Sequence, residues 1–267
     1  MIDSLKLYLR YIGISIRGQM QYRASFIMLS VGHLLVTGVE FAGIWVLFDR
    51  FGSLRGWTLS EVALFYGMAN ISFSIADALA RGFDRLSDLV RSGDFDRILL
   101  RPRSTPLQLF GQELVLFRIG RFAQGLAVLL WAVNTLDVAW TPAKVMLMVA
   151  GIGSGACIFV GILMLQGALT FLTVESLEIV NTVTYGGVEA TQLPLSIYRP
   201  WFQRFFTFVI PLACLNYFPG LAILGRSDTL GTPAAFQWIS PVIGGVFLLV
   251  CLQVWKLGVR YYASTGS

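Results

Sequence analysis

Long apolar runs separated by short polar segments dominate the chain. Runs over residues 24–48, 62–80, 119–136, 143–174 and 235–257 contain few charges. A transmembrane helix needs about 20 mostly apolar residues, and these runs come close to that length or exceed it. Each run therefore predicts a membrane-spanning helix.

One further span has two interpretations. Hydropathy favours a helix over residues 205–225, but Pro211 and Pro219 interrupt this stretch, as expected for a re-entrant hairpin. Non-helical backbone is tolerated at membrane depth when protein covers it. The alternative is a fifth span over residues 177–195. Either choice gives an all-α integral membrane protein with six transmembrane helices.

Residues 1–23 alternate apolar and cationic side chains at helical spacing. The apolar stripe contains Leu5, Tyr8, Leu9, Ile12 and Ile16, and the cationic stripe contains Lys6, Arg10 and Arg17. This pattern predicts an amphipathic helix lying in the membrane interface. The alternative is a cytoplasmic extension of the first span.

Composition narrows the class of protein. Of the 267 residues, 56% are hydrophobic and 13% are charged, whereas soluble domains carry about 25% charged residues. An ordinary cytosolic enzyme, a disordered protein and a disulfide scaffold are therefore excluded. Six spans would leave no room for a nucleotide-binding domain of the usual ~100 residues, and the sequence contains no G-x-x-x-x-G-K-[ST] loop. The chain is thus expected to form a single permease domain over residues 1–267.

The net charge of +5 is interpreted as a record of topology, because cytoplasmic loops retain Lys and Arg. Most of the cationic residues fall on the side of the two termini, so both termini are predicted to be cytoplasmic. No nucleic-acid partner is expected. The three cysteines lie in apolar stretches and are interpreted as small buried hydrophobes, without a metal site.

The longest polar segment, residues 81–106, predicts two short amphipathic helices. Its first apolar face contains Phe83, Leu86, Leu89 and Val90, and its first polar face contains Asp84, Arg85, Asp88 and Arg91. Gly93 is predicted to end the first helix, and Asp94 to cap a second helix that ends before Pro102. Paired apolar faces favour docking of a soluble partner in a groove. The alternative is a solvated loop that only retains topology.

Three stretches give a specific resemblance: YRASF at residues 22–26, VRSGDFDRILLRP at residues 90–102, and QLPLSIYRPWFQRFFTFVIPLACLNYFPGLAILG at residues 192–225. Together they resemble permease subunits of ABC type-2 exporters, in a prokaryotic subfamily paired with daunorubicin-resistance-type ATPases. Leu193 departs from the tyrosine that is frequent in that pattern.

The resemblance implies an interfacial N-terminal helix, a cytoplasmic coupling segment at residues 81–106, a fifth span over residues 177–195, and an extracellular or re-entrant segment at residues 196–226. It implies a cytoplasmic ABC ATPase dimer that binds ATP and magnesium, so this chain needs no cofactor. A second permease subunit is implied, with a heterodimer favoured over a homodimer, in a bacterial inner membrane. The implied ATPase-coupling residues are Phe83, Asp84, Arg85, Leu86, Asp88, Arg91, Gly93, Asp94, Asp96, Arg97 and Arg101.

Polar residues inside predicted spans are candidates for a translocation path, because stranding them in lipid is costly. They are Glu40, Asn70, Asp77, Glu178 and Glu189. A candidate hydrophobic gate is formed by Phe202, Phe205, Phe206, Pro211 and Pro219. Alternatively, the polar residues form hydrogen bonds with one another across helices, and the aromatic residues serve ordinary packing.

The function expected from these features is ATP-driven export of a hydrophobic or amphiphilic substrate by alternating access, with no catalysis in this chain. A non-transporting sensor or assembly subunit is the alternative, as is a proton-driven secondary transporter. The latter would favour inverted repeats, and the two halves of the sequence differ in loop length.

Overall fold

The computed structural model describes residues 13–14, 16–112, 118–171 and 177–262. Over these residues the protein is helical and contains no β-strand, apart from an isolated bridge between Leu54 and Trp57. Four helices are long and apolar enough to cross a membrane, and a fifth candidate arises if one bent pair counts as a single span. The all-α prediction is confirmed for this part of the chain.

In chain order the helices are α1 (Arg23–Phe51), α2 (Leu59–Asp84), α3 (Leu86–Arg91), α4 (Asp94–Leu99), α5 (Thr105–Gln112), α6 (Ile119–Thr135), α7 (Pro142–Thr170), α8 (Leu177–Thr191), α9 (Pro200–Arg204), α10 (Tyr217–Leu224), α11 (Ala234–Ile239) and α12 (Val242–Arg260). Residues 13–14 and 16–21 are also helical. The rest of the predicted interfacial stripe, residues 5–12, lies outside the described residues.

Local sequence signals explain where two of the central helices begin. Thr58 and Glu61 form a reciprocal capping box at the start of α2, which satisfies two backbone N–H groups that would otherwise lack partners. Thr141 accepts a hydrogen bond from the Lys144 amide at the start of α7, and Pro142 occupies the first turn, where its missing N–H costs nothing.

Helix α2 lies at the centre of the bundle, between α6 and α7, and most of its residues are buried. Small residues permit this close packing. A Cβ added at Gly67 would lie 2.7 Å from Leu129 Cβ, and one added at Gly155 would lie 2.6 Å from Ser72 Oγ. Glycine at both positions therefore allows the helices to approach closely.

The segment after α8 folds back sharply. The helical stretches Pro200–Val209 and Leu212–Leu224 meet at 79°, which identifies them as the bent pair. The first stretch ends in a π-helical turn, Phe205–Val209, and the second begins with the 3₁₀ turn Leu212–Cys214. Pro211 lies between them. It explains the break, because proline has no N–H with which to continue the helical hydrogen bonds of the preceding stretch.

The side chain of Asn216 fixes the start of α10 inside the bundle. Its Nδ2 donates to the Phe65 carbonyl of α2 at 3.1 Å and to the Thr191 carbonyl at the end of α8. Asn216 is buried. The bent pair is thus held by backbone acceptors of two separate helices.

The last span, predicted over residues 235–257, is observed as a helix of membrane-spanning length, α12, which begins and ends later than predicted. Helix α11 ends at Ile239 and α12 begins at Val242. Pro241 causes the break, because it lacks the N–H that would bond to the preceding turn. The predicted third and fifth spans correspond to α6, with 17 residues, and α8, with 15 residues. Residues 113–117 and 172–176 just before them lie outside the described residues.

Candidate functional site

The predicted coupling segment forms two short helices, α3 and α4, that follow directly from α2. Gly93 has φ 74°, a left-handed conformation that suits glycine after a helix end. The predicted stop at Gly93 is confirmed. The prediction that Asp94 caps α4 is wrong, because Gly93 occupies the cap position and no side-chain cap bond forms. Instead, Asp94 accepts from the Ser92 hydroxyl at 3.0 Å and pairs with Arg97 at 3.3 Å.

The apolar faces of this segment point into the protein. Phe83, Leu86, Val90, Phe95 and Ile98 are all buried. The interpretation that these faces are offered to a partner is therefore wrong. Apolar side chains that bury themselves against the same chain stabilise the segment's own position, and they leave the outward edge to the remaining residues.

An aromatic cluster holds the end of α2 and helix α4 against the ends of α7 and α12. The ring centroids of Phe83 and Trp255 lie 5.0 Å apart, and those of Phe95 lie 5.1 Å from Phe171 and 4.9 Å from Tyr262. The Phe83–Trp255 and Phe95–Tyr262 contacts are edge-to-face, a geometry that is favourable beyond the burial of area.

Two hydrogen bonds from the same region reinforce this contact. The indole N–H of Trp255 donates to Thr105 Oγ1 at 3.0 Å, and the Tyr262 hydroxyl donates to Asp96 Oδ1 at 2.9 Å. The beginning of α5 and the side of α4 are thereby tied to the end of the last long helix.

Charged side chains connect the end of α2 to α6 and α7. Arg81 pairs with Asp84 at 2.9 Å and with Asp77 at 3.5 Å. Asp77 also pairs with Arg118, which precedes α6, and Gln166 of α7 donates to Asp84 at 3.1 Å. Asp77, predicted as a path residue, is therefore part of a buried structural network beside the coupling segment.

The outward edge of the segment is charged and carries two exposed leucines. The exposed members are Arg85, Asp88, Arg91, Arg97, Leu99, Leu100 and Arg101. Leu100 is 85% exposed. An open groove lined by Leu89, Arg97, Ile98, Arg101 and Gln108 runs beside them. Of the predicted coupling residues, the arginines are therefore accessible, whereas Phe83 and Leu86 are not.

A second polar site lies between the long helices, and we call it the Arg121 cluster. Arg121 of α6 is 8% exposed, and its Nε donates to Asn70 Oδ1 of α2 at 2.8 Å. Its Nη2 lies 3.9 Å from Glu40 Oε2 of α1 and 4.0 Å from Glu189 Oε1 of α8. The guanidinium also lies over the Phe73 ring, 5.0 Å from its centroid.

The cluster brings together three of the five predicted path residues: Glu40, Asn70 and Glu189. Glu178 belongs to α8, but its side chain lies outside the described residues. Arg121, the cation at the centre, is not among the residues predicted from the sequence. Its position three residues inside an apolar helix was the available signal.

Hydrogen bonds extend the cluster toward α1. Gln124 Nε2 donates to the Tyr66 hydroxyl at 3.3 Å, and that hydroxyl donates to the Thr37 carbonyl at 2.9 Å. Thr37 lies one helical turn before Glu40. Four helices, α1, α2, α6 and α8, therefore contribute to one connected polar site.

The candidate gate residues pack in the bent pair. Phe202 and Phe206 have ring centroids 4.6 Å apart, and Phe205 and Phe206 lie 5.1 Å apart. Pro219 is buried in the first turn of α10. A Cβ added at Gly187 of α8 would lie 3.8 Å from Phe206 Cε1. The aromatic set therefore contacts α8, the helix that also carries Glu189.

At the end of the bundle opposite the coupling segment, Arg226 and its neighbours join the bent pair to α2. Arg226 pairs with Glu61 at 2.8 Å and donates to the Gly56 carbonyl at 3.0 Å. Its guanidinium lies 4.3 Å from the Trp57 ring centroid, and the Trp57 indole donates to Ser196 Oγ at 3.0 Å. We call these residues the Arg226 latch. The Trp57 side chain itself is buried.

Apolar helices of membrane-spanning length, a buried charged site between them and a charged helical segment at one end define an integral membrane transport protein. The model of the ABC-2 family transporter protein matches residues 34–266, and the chain belongs to this family. It is thus a transport subunit of an ABC transporter, and the family implies association with an ABC ATPase. No curated protein and no solved structure matches the chain.

The three cysteines form no disulfide bond. Cys214 and Cys251 are buried, and Cys157 is partly buried. Within the described ranges no group of three or more His, Cys, Asp or Glu side chains could hold a metal ion. Neither observation assigns a chemical step to this chain.

Proposed function

We propose that the chain is the permease of an ATP-driven exporter for hydrophobic or amphiphilic compounds, working by alternating access. Its α3–α4 segment rests on a cytoplasmic ATPase, and a second, different permease subunit completes the path. Six spans with both termini in the cytoplasm of a bacterial cell fit the excess of Lys and Arg at the α3–α4 end.

The observation that carries the proposal is the way α3 and α4 are mounted. Helix α3 continues from the end of α2, Phe95 of α4 packs against Phe171 at the end of α7, and Asp96 of α4 accepts a hydrogen bond from Tyr262, just after α12. A force applied to the outward edge therefore reaches three long helices at once. ATP can drive such a change only if it favours one arrangement of the complex over the other.

We assign recognition of the ATPase to the exposed outward edge of the α3–α4 segment. Leu100 is exposed beside Arg97 and Arg101, and this combination fits an apolar pocket with an acidic rim on the ATPase. Arginine is enriched among the residues that dominate protein interfaces, especially in well-packed surroundings, so Arg97 and Arg101 beside Leu100 are expected to carry the contact.

The test is co-purification of the tagged chain from its native membrane, followed by identification of its partners and measurement of ATP hydrolysis. We expect an ATPase subunit with a Walker A loop and a second permease. The double variant Leu100→Ser/Arg97→Glu is expected to reduce ATPase recovery about tenfold or more, since interface anchors contribute about 2 kcal/mol or more each. Gly93→Pro should also uncouple hydrolysis from export, because proline cannot adopt φ 74°.

The matched control is Arg199→Glu, which reverses an exposed charge at the opposite end and should leave ATPase recovery unchanged. A chain that purifies alone and is active without an ATPase would contradict the proposal and favour a proton-driven transporter. A complex that hydrolyses ATP normally with both variants would show that α3 and α4 are not the coupling element.

A further inference from the structure

We propose that the Arg121 cluster is a binding site for the cationic amine group of a transported amphiphile. This inference rests on the proposed transport function and adds to it the charge of the substrate. Three features of the described residues carry it: the balance of charge, the type of polar atom left without a partner, and the depth of the site.

The charge balance favours a cation. Two carboxylates, Glu40 and Glu189, face the single guanidinium of Arg121 at 3.9 and 4.0 Å. These distances are beyond hydrogen-bond range, so neither carboxylate is fully paired by Arg121. The ionised site therefore carries one excess negative charge, which a bound cation would neutralise.

The unpartnered atoms around Arg121 are acceptors. Within the part of the chain that the structure describes, Glu40 Oε2 and Gln124 Oε1 are buried without a hydrogen-bond partner. Gln124 is 8% exposed, and its amide nitrogen is already used by Tyr66. Buried acceptors are costly when left unpaired. A ligand that supplies N–H donors and a positive charge would satisfy both.

The depth of the site fits an amphiphile. Glu40 and Asn70 lie about 11 residues from the outer ends of α1 and α2, which at 1.5 Å per residue is roughly 16 Å. A bilayer core is about 30 Å thick, so the cluster lies near its middle. A headgroup bound there would leave its apolar part among the surrounding long helices.

Helix α8 provides the opening. The Glu189 side chain is 58% exposed, and Tyr185 and Gly186 on the preceding turn are exposed as well. Charged side chains in a membrane face a protein neighbour or a water-filled path and avoid lipid. The exposed side of Glu189 is therefore the entry to the cluster.

The experiment measures equilibrium binding to the full chain in lipid nanodiscs, so it does not require the ATPase. The probes are 2-phenylethylamine, which is a cation at pH 7, its neutral counterpart 2-phenylethanol and the anion phenylacetate. We expect the amine to bind at least tenfold more tightly than either of the others.

Two variants of low folding risk locate the site. Glu189→Gln removes a half-exposed carboxylate, and Gln124→Met removes the unpaired acceptor at similar volume. Each is expected to weaken amine binding about tenfold, the effect of one hydrogen bond to a charged group. Asp49→Asn removes an exposed carboxylate at the outer end of α1, the helix of Glu40, and should have no effect.

Equal binding of the three probes, or amine binding that both variants leave unchanged, would overturn the inference. Preferred binding of phenylacetate would do the same, and it would assign Arg121 to an anion. Loss of permease pairing in Glu189→Gln, with no amine binding in the original protein, would show that a donor from the second subunit occupies the cluster. Any of these results leaves the ATPase test of the proposed function intact.

Discussion

The two ends of the helix bundle are held by different kinds of contact. At the α3–α4 end, large aromatic rings from α2, α4 and α12 are buried against one another. At the bent-pair end, buried side chains such as Leu212, Leu215 and Phe218 are packed as well, and two single polar side chains, Asn216 and Arg226, also join the pair to α2. Both ends are therefore well packed, and the bent-pair end is also held to α2 by polar bonds that can break one at a time.

This contrast matters for alternating access. A transporter must transmit force at one end and open at the other, and packed interiors change arrangement in discrete steps and do not deform gradually. Aromatic packing resists small displacements, because every ring loses many contacts together. Hydrogen bonds to carbonyl groups can be exchanged for water one at a time.

The largest expected effect is at the aromatic end. Trp255 is fully buried and contacts Phe83 and Phe171, so Trp255→Ala should lower the free energy of unfolding by about 3–5 kcal/mol. Thermal unfolding of the purified chain measures this loss. Trp238, 44% exposed on α11, is the matched control and should tolerate the same change. A loss below 1 kcal/mol at Trp255 would contradict the packed-body description.

An intermediate effect is expected at the tip of the bent pair. Asn216→Ala removes two donors to buried carbonyl groups, which costs about 1–3 kcal/mol, and it should also increase hydrogen exchange of residues 212–224. Asn134→Ala removes a similar bond on an exposed surface of α6 and should change neither. Unchanged exchange in Asn216→Ala would mean that other contacts fix the tip.

The smallest effect is expected at the Arg226 latch. Arg226 is 37% exposed, so solvent and salt screen its pair with Glu61, and Arg226→Gln should cost about 1 kcal/mol or less. The loss should shrink further at high salt. A double-mutant cycle with Glu61→Gln isolates the pair energy. A coupling of several kcal/mol would place this contact in the same class as the aromatic cluster.

Periodicity and length predicted much of the fold. The first, second and fourth spans were expected at residues 24–48, 62–80 and 143–174, and they are observed as α1, α2 and α7. Local rules also predicted the turn at Gly93. The last span was expected over residues 235–257 and is observed as α12, Val242–Arg260. Its start is later than predicted because Pro241 interrupts the helix, and hydropathy averaged over a window does not register one missing N–H.

The sites were less predictable than the helices. Glu40, Asn70 and Glu189 could be flagged by the cost of burying polar groups, but nothing in one sequence indicates that α1, α2, α6 and α8 meet at Arg121. The sequence also did not indicate that the apolar faces of the α3–α4 segment point into the protein. Amphipathic spacing shows that a helix buries one face; it does not show whether its own chain or a partner supplies the cover.

The glycines of α7 have a consequence for the tolerance of the chain to mutation. A Cβ at Gly151 would lie 2.6 Å from the Leu215 carbonyl oxygen, one at Gly161 2.9 Å from Cys251 Sγ, and one at Gly167 3.0 Å from Trp255, whereas Gly153 has open space. Saturation mutagenesis should therefore show tolerant and intolerant positions alternating along one helix. Selection would then preserve glycine at the positions of α7 that contact both ends of the molecule.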